Sequence, residues 1–292
     1  MPEVRQLGMR VALATFLLVA LPSAQERPLP DFATFAAQVK LHLATDTERQ
    51  SGYTFVERRV EQKLNGDGRV TDESSKVYEV YPGLGGEDRY RRLIEEDGRP
   101  VSAEALAKQD RERRERVEEY ARARQRPRDR EKDARALDKA RREYADAVDD
   151  IFRVYEIEML RREAIGGHDT IVATLTPRPD VRPRTDSGKI MRHFRAMAWI
   201  SESDYELVRV EIEAIDTLSF GLGLLARVHK GTVATYQRRK VNDEAWLPER
   251  VTWTGSGRVF LVRRLRVRGT SEFFDYRKFT VETATIVSPP AE

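Results

Sequence analysis

Apolar and polar residues alternate through most of the stretch from residue 190 to residue 287, and this alternation constrains the fold more than any other feature. Val208, Val210 and Ile212 are apolar, whereas the residues between them are charged. A period of two is typical of strands that bury one face and expose the other. The stretch therefore predicts a meander of long antiparallel strands.

Turn residues divide this meander and predict where its strands end. They lie at 202–204, at 242–243, at 255–257 and at Gly269. A sheet built this way has an apolar face that another element must cover. We expect the function to depend on that cover, or on whatever takes its place.

Composition excludes several classes of function. The chain has 292 residues, a formal net charge of +3 and no cysteine. Without cysteine there are no disulfides, no thiolate nucleophiles or metal ligands, and no lipid anchor on an N-terminal cysteine. The positive and negative charges nearly cancel, so we expect no nucleic acid as partner.

The first 24 residues have the features of a signal peptide. Arg5 and Arg10 precede an apolar run at 11–21, which Pro22-Ser23-Ala24 follows. That run is too short to span a bilayer as a helix, although it is also compatible with a buried N-terminal helix. We predict cleavage, export to a periplasm, and a single domain over residues 25–292.

An amphipathic helix is predicted directly after the signal peptide. Asp31 is a suitable N-cap, and Phe32, Phe35, Val39 and Leu43 recur at helical spacing. We expect this stripe to pack on the sheet. Further strands are predicted at 52–64, 76–81, 89–95, 99–101, 154–163 and 170–176, and a proline-rich loop at 177–184.

Residues 102–150 differ from the rest because most of them are charged or alanine. Ser102 can cap a first helix over 103–125, and Pro127 separates it from a second over 129–150. Two interpretations remain open for this insert. It is either a solvated helical hairpin, or a binding element for anionic lipid headgroups or a partner protein.

Residues 216–226 combine leucine and phenylalanine with Gly221 and Gly223. We predict a mobile lid or plug over the open side of the sheet rather than a regular strand. A static connector packed in the core is the alternative.

The sequence contains no recognisable catalytic or metal-binding motif. Its four histidines lack the spacing of metal ligands, and it has no nucleophile elbow and no dinucleotide fingerprint. We therefore predict a non-enzymatic protein with no metal and no cofactor. The candidate residues for an apolar ligand cavity are Phe55, Trp199, Val208, Val210, Ile212, Phe220, Leu222 and Trp253.

Two segments carry a resemblance to a known family. Residues 197–211 join a tryptophan-bearing strand through an acidic turn to a strand with Leu, Arg and Glu, and residues 242–250 place a turn before Trp-Leu-Pro-Glu-Arg. This arrangement resembles the periplasmic outer-membrane lipoprotein-sorting (lipoprotein carrier) family. The resemblance implies an α+β fold with a strongly curved, half-open antiparallel sheet, helices over its mouth, and acyl chains held inside.

Two functions are compatible with these features. The first is an exported carrier for lipoprotein acyl chains or another apolar ligand in outer-membrane or envelope biogenesis, with a lipid or lipidated protein as partner. The second is a non-enzymatic envelope module that binds a protein through residues 102–150.

Overall fold

The computed structural model describes residues 27–84, 88–220, 226–259 and 263–279. The predicted signal peptide lies outside these residues, and so does the part of the predicted lid at 221–225, which includes Leu222. The side chain of Phe220 is also outside the described part.

Four helices and thirteen strands form the described part of the chain. The helices are α1 (Phe32–Ser51), α2 (Ala103–Ala123), α3 (Pro127–Val154) and α4 (Asp186–Met191). The strands are β1 (Tyr53–Leu64), β2 (Val70–Tyr81), β3 (Tyr90–Glu96), β4 (Arg99–Pro100), β5 (Tyr155–Ile165), β6 (His168–Pro177), β7 (Phe194–Ser201), β8 (Leu207–Ala214), β9 (Leu218–Phe220), β10 (Ala226–Val228), β11 (Val233–Val241), β12 (Ala245–Val259) and β13 (Arg263–Lys278).

All thirteen strands belong to one antiparallel sheet. Its main order is β4-β3-β2-β1-β13-β12-β11-β8-β7-β6-β5, and the small β9-β10 hairpin attaches to β12. The edge strands β4 and β5 do not pair with each other in the described residues, so the sheet stays open. This confirms the predicted α+β fold with a curved, half-open antiparallel sheet. Because α2 and α3 connect β4 to β5, they run from one edge of the sheet to the other.

One face of the sheet can be followed across its strands by their register. Ala173, Ala198, Val210, Tyr236 and Val251 lie opposite one another on β6, β7, β8, β11 and β12. Residues directly opposite in antiparallel strands share a face. We call this the inner face, and α1 packs on it.

The apolar stripe of α1 meets the inner face as the sequence predicts. Phe35 and Val39 are buried in one cluster with Ile171, Ala198 and Ile200. The predicted N-cap is also confirmed, since Oδ1 of Asp31 accepts a hydrogen bond from the Thr34 amide over 2.9 Å. α1 is thus the element that covers part of the inner face.

The glycines at 255–257 and 269 do not form turns, so that prediction was wrong. Gly255 and Gly257 lie inside β12, and Gly269 lies inside β13. A Cβ on Gly269 would lie 2.0 Å from Cζ2 of Trp253, and one on Gly257 would lie 2.3 Å from the carbonyl oxygen of Arg227. These glycines make room for a neighbouring side chain or strand within the sheet.

Two further boundaries differ from the predictions. The meander begins at Phe194 rather than at residue 190, because 186–191 form α4. Within the predicted lid, Leu218–Phe220 is a strand that pairs with Ala226–Val228, and Leu218 is buried. The prediction that 216–226 contains no regular strand was therefore wrong for these residues.

The charged hairpin is docked at its base and exposed at its turn. The Gln109 side chain accepts a hydrogen bond from the Leu93 amide (2.9 Å) and donates one to the Leu93 carbonyl oxygen (3.1 Å). It thereby takes the place of a neighbouring strand along β3. Nε of Arg92 also donates to Oδ1 of Asp110 over 2.7 Å. The first half of α2 is therefore packed against β3, and the interpretation of the insert as a fully solvated hairpin does not hold for it.

Gly269→Ala should lower the free energy of unfolding by about 1–3 kcal/mol, because the new methyl group would overlap the Trp253 ring. Urea denaturation measures the change. Gly66→Ala is the matched control, since a Cβ there meets nothing within 4 Å. In a Trp253→Ala background the cost of Gly269→Ala should largely disappear, and an unchanged cost would contradict this interpretation.

Candidate apolar ligand site

A cavity of about 150 Å³ lies between α1, the C-terminal end of α3 and the part of the inner face formed by β5–β8. Only apolar side chains line it, among them Phe35, Val39, Phe152, Ala198 and Val210. An engineered apolar cavity of about 150 Å³ stays dry and binds benzene. The space, which we call the apolar cavity, therefore suits a small apolar group.

The first half of α1 forms the roof of the apolar cavity. Phe35 and Val39 point into the cluster on the sheet, and Phe32 lines the cavity while remaining 43% exposed. A large apolar side chain that is both exposed and part of the cavity wall marks its rim. The cavity thus reaches solvent near the beginning of α1.

The second half of α1 is held to the sheet by a buried charged group, which we call the α1 clamp: Asp46, Arg49, Glu206 and Arg238. Nη2 of Arg238 donates to Oδ1 of Asp46 over 2.6 Å, and its Nε donates to the carbonyl oxygen of Trp246 over 3.1 Å. Oε1 of Glu206 lies 2.5 Å from Nη2 of Arg49. Charges removed from water need such partners, so the clamp fixes α1 in one position.

Two atoms of the α1 clamp are not hydrogen-bonded. Nη1 of Arg238 and Oε2 of Glu206 are buried without a hydrogen-bond partner, and they lie 3.7 Å apart. His42, also on α1, reaches the other carboxylate oxygen of Glu206 through Nδ1 at 3.1 Å. The clamp therefore depends chiefly on the contacts of Arg238 with Asp46 and Trp246 and of Glu206 with Arg49.

A second buried carboxylate fixes the end of α3 beside the cavity. Asp150 is 1% exposed, and it accepts hydrogen bonds from the amides of Arg184 and Thr185 and from the Thr185 hydroxyl. Burial alone raises the pKa of a carboxyl group, but these hydrogen bonds outweigh it and lower the pKa of Asp150. Because Ile151 and Phe152 follow directly, this contact places them in the cavity wall.

The opposite part of the inner face, on β1, β2, β12 and β13, mixes ion-paired side chains with apolar ones such as Val80 and Phe273. Glu57 is 4% exposed, accepts a hydrogen bond from the Ser271 hydroxyl (3.0 Å) and pairs with Arg91 (2.6 Å). The Trp253 ring lies against the backbone of Gly269, and the guanidinium of Arg59 lies 5.2 Å from its centre. The inner face thus has an apolar part under the helices and an ion-paired part beside it.

The candidate residues from the sequence do not form one site. Val210 lines the apolar cavity. Ile212 shares its face but is 36% exposed, and Trp253 lies on the part of the inner face that carries the Glu57–Arg91 ion pair. Phe55 packs edge-on against Phe273, with ring centres 5.7 Å apart, away from the cavity.

Trp199 and Val208 do not line the cavity either. Trp199 lies opposite Arg209, one position from Ala198, so its ring is on the outer face. The Arg209 guanidinium lies 5.0 Å from that ring. Val208 is fully buried at the register shift between β7 and β8. The assignment of these two residues to the cavity was wrong.

Apart from Val210, the sheet residues that line the cavity were missed, among them Ala173, Ala198 and Leu207. Residues 196–200 are all apolar, so alternation there does not show which face is inner. Two sequence signals could have located the cavity wall. They are the apolar stripe of α1 and the alternation that places Ile157 and Met159 on one face, because these residues line the cavity.

The described residues hold no group of three or more histidine, cysteine, aspartate or glutamate side chains that could bind a metal ion. Among the same residues, none of the helices combines the length and apolar character that crossing a bilayer requires. Every side chain of the cavity wall is apolar, so the wall offers no acid, base or nucleophile.

Comparison with known proteins gives similarities of structure. No protein-family model and no curated protein matches the chain. A LolA superfamily protein from Nitrosomonas europaea is similar at 11% identity over 87% of this chain and 97% of its own, with a TM-score of 0.34. A putative outer membrane lipoprotein-sorting protein domain from Vibrio parahaemolyticus is similar at 9% identity over 84% and 92%, also with a TM-score of 0.34.

The second of these structures carries the lipoprotein-sorting name to which the sequence resemblance points. A third, the complex of MucA and MucB from Pseudomonas aeruginosa, is similar at 8% identity over 84% of this chain and 99% of that chain, with a TM-score of 0.24. Because all three scores are below 0.5, the function proposed below rests on the residues of this chain.

Asp150→Ala should lower the free energy of unfolding at pH 7 by about 3 kcal/mol, because three buried donors would lose their acceptor. Asp149→Ala, which changes an exposed neighbour paired with Lys40, should cost less than about 1 kcal/mol. The lowered pKa of Asp150 means that its contribution is present above the ordinary pKa of 3.8 and is lost as the pH falls through the folded-state pKa. The difference between wild type and Asp150→Ala should therefore shrink in acid, and a difference that grows would contradict the assignment.

Arg238→Met should destabilise the protein by about 3–5 kcal/mol, because it leaves Asp46 buried without its partner. Adding Asp46→Leu should restore part of that loss. Arg239→Met, a change at the adjacent exposed arginine, is the control and should have little effect in urea denaturation. Equal costs for the two arginines would show that the α1 clamp does not hold the helix.

Proposed function

We propose that this chain binds and carries a lipid acyl chain, or another apolar ligand, in the apolar cavity. The observation that carries the proposal is a space of about 150 Å³ with a wholly apolar wall, roofed by a helix on the face of an open sheet. An ordinary core would fill that space with side chains. An apolar ligand can gain about 0.8 kcal/mol for each methylene that it buries there.

The two halves of α1 are held to the sheet differently, and this difference provides a route for such a ligand into the apolar cavity. Residues 32–39 pack on the sheet through apolar side chains, whereas the second half is fixed by the α1 clamp. A ligand larger than the cavity has to displace side chains such as Phe35, each stabilising the closed helix by roughly 1.5–3 kcal/mol. About four buried methylenes offset one such loss, which favours a long alkyl chain over a small solute.

The proposed setting is the periplasm, reached through the predicted signal peptide, and the proposed partner is a lipid or a lipidated protein in outer-membrane or envelope biogenesis. We propose no catalysis and no cofactor. The apolar wall supports this, because general acid–base or nucleophilic chemistry needs a polar group at the site.

A protein partner bound through residues 102–150 is a second candidate. The distal part of the hairpin favours it, because most residues from 121 to 132 are exposed. The base is different, since Gln109 and Asp110 on α2 and Tyr144 on α3 contact other elements. A binding role of the hairpin would thus be confined to its distal part.

Ala198→Leu should weaken binding of a fluorescent fatty acid about fiftyfold, because the larger side chain takes the space of roughly three methylenes. Ala234→Leu is the matched control: Ala234 is on the inner face, opposite Ile212, but outside the cavity wall. Fluorescence titration gives the affinities, and native mass spectrometry of protein purified from the cell envelope tests for a natural lipid.

Unfolding in urea should show that Ala198→Leu remains folded. Equal affinity in both variants, or a wild-type protein that binds neither the probe nor a co-purified lipid, would overturn the proposed function.

A further inference from the structure

Arginine is concentrated at the turn between α2 and α3. Residues 120–130, which we call the hairpin tip, contain five arginines and one acidic residue, Asp129. The resulting excess of four positive charges is larger than the net charge of +3 for the whole chain. The other residues together are therefore close to neutral, although residues 258–268 hold a second group of five arginines without an acidic residue.

These arginines are available to an external partner. All five are exposed: Arg122, Arg124, Arg126, Arg128 and Arg130. Within the part of the chain that the structure describes, their only ion pair joins Arg126 to Asp129 at 3.9 Å. Farther from the turn the same helices do form pairs, as between Lys108 and Glu112, Arg135 and Glu131, and Lys139 and Glu143.

Two of the arginines work against the local helix, whereas Arg122 lies in the last turn of α2, where the helix dipole favours a positive charge. Arg128 and Arg130 lie in the first turns of α3, where the helix dipole favours acidic side chains, and no side chain caps this end. Residues that oppose local stability are expected where function requires them. The tip therefore has the character of a binding surface.

The shape of the tip indicates the kind of partner. Side chains two residues apart on a helix do not share a face, so the arginines point outward in several directions. The tip contains only one large aromatic side chain, Tyr120, beside Arg124. A shaped protein interface needs apolar anchors in pockets, whereas mobile lipid headgroups can gather around a convex basic end.

On α3 the tip lies beyond the contact with α1, whereas on α2 it begins just after Arg116 and Glu118, which lie beside Tyr90. Arg141 of α3 pairs with Glu48 near the end of α1, and the fourteen residues from there back to Pro127 span about 20 Å at 1.5 Å per residue. The apolar cavity lies at the other end of α3, about 35–40 Å from the tip. A flat surface can thus meet the tip without touching the cavity.

We propose that the hairpin tip docks this protein on the anionic phospholipid headgroups of a membrane surface. The contact is electrostatic and peripheral, and Arg122, Arg124, Arg128 and Arg130 supply most of it. It does not depend on the ligand proposed for the apolar cavity.

Vesicle flotation with the full chain tests this proposal. The protein should float with phosphatidylcholine vesicles that contain about 30% phosphatidylglycerol, but not with pure phosphatidylcholine, and high salt should release it. Changing Arg122, Arg124, Arg128 and Arg130 to Gln should lower the partition coefficient by more than about a hundredfold, at roughly fivefold for each arginine.

The matched control changes four exposed arginines elsewhere to Gln, namely Arg69, Arg99, Arg111 and Arg182, and removes the same net charge. It should bind within about fivefold of wild type. Circular dichroism should show equal helix content in both arginine variants, and Arg128→Gln alone gives a graded test if the fourfold tip variant is unstable.

Three results would overturn the proposal. They are equal binding to neutral and anionic vesicles, binding that is insensitive to salt, and equal losses in the tip and control variants. If the protein is retained on polyglutamate through the tip but binds no vesicles, the partner of the tip is an acidic protein instead of a membrane.

Discussion

An antiparallel sheet that does not close has an inner face that must be shielded from water, and the arrangement of this chain follows from that requirement. β4 and β5 remain unpaired with each other in the described residues, so shielding comes from helices. α1 covers the part of the face formed by β5–β8, and the end of α3 packs beside it. The part formed by β1, β2, β12 and β13 instead carries charged side chains that pair with one another, such as Glu57 with Arg91. The inner face is thus shielded from water by the apolar side chains of helices in one part, whereas in the other part its charged side chains pair with one another.

The buried charges around α1 have a different role from the apolar contacts. Apolar packing is non-directional, so a helix can slide on an apolar face at small cost. A guanidinium that must meet both Asp46 and the Trp246 carbonyl oxygen permits one position. Asp150 does the same for the end of α3 through the backbone of 184–185. The cavity is therefore bounded by elements whose positions are set by hydrogen bonds outside it, so its wall can remain wholly apolar.

The sequence predicted the fold better than the site. Alternation predicted most strands, and the N-caps Asp31 and Ser102 predicted where α1 and α2 begin, because these signals are local in the sequence. Glycine misled at Gly269, since a glycine that makes room for Trp253 inside a strand is not distinguishable in sequence from one in a turn. Trp199 was assigned to the wrong face because its strand is apolar on both sides. Arg238 and Glu206 could not be singled out among 52 basic and 49 acidic residues, because burial depends on contacts far apart in the chain.

The pairing of β1 with β13 has a consequence for how the chain reaches this structure. Thr54 lies opposite Arg277, 223 positions later, in the middle of the sheet. Closing so long a loop is entropically costly, and such non-local pairing makes folding slow. A chain that emerges from its N-terminus first cannot complete the sheet until its last strand is present. Until then β1 is paired on one side only, and the meander of β1–β4 remains separate from the strands β5–β12.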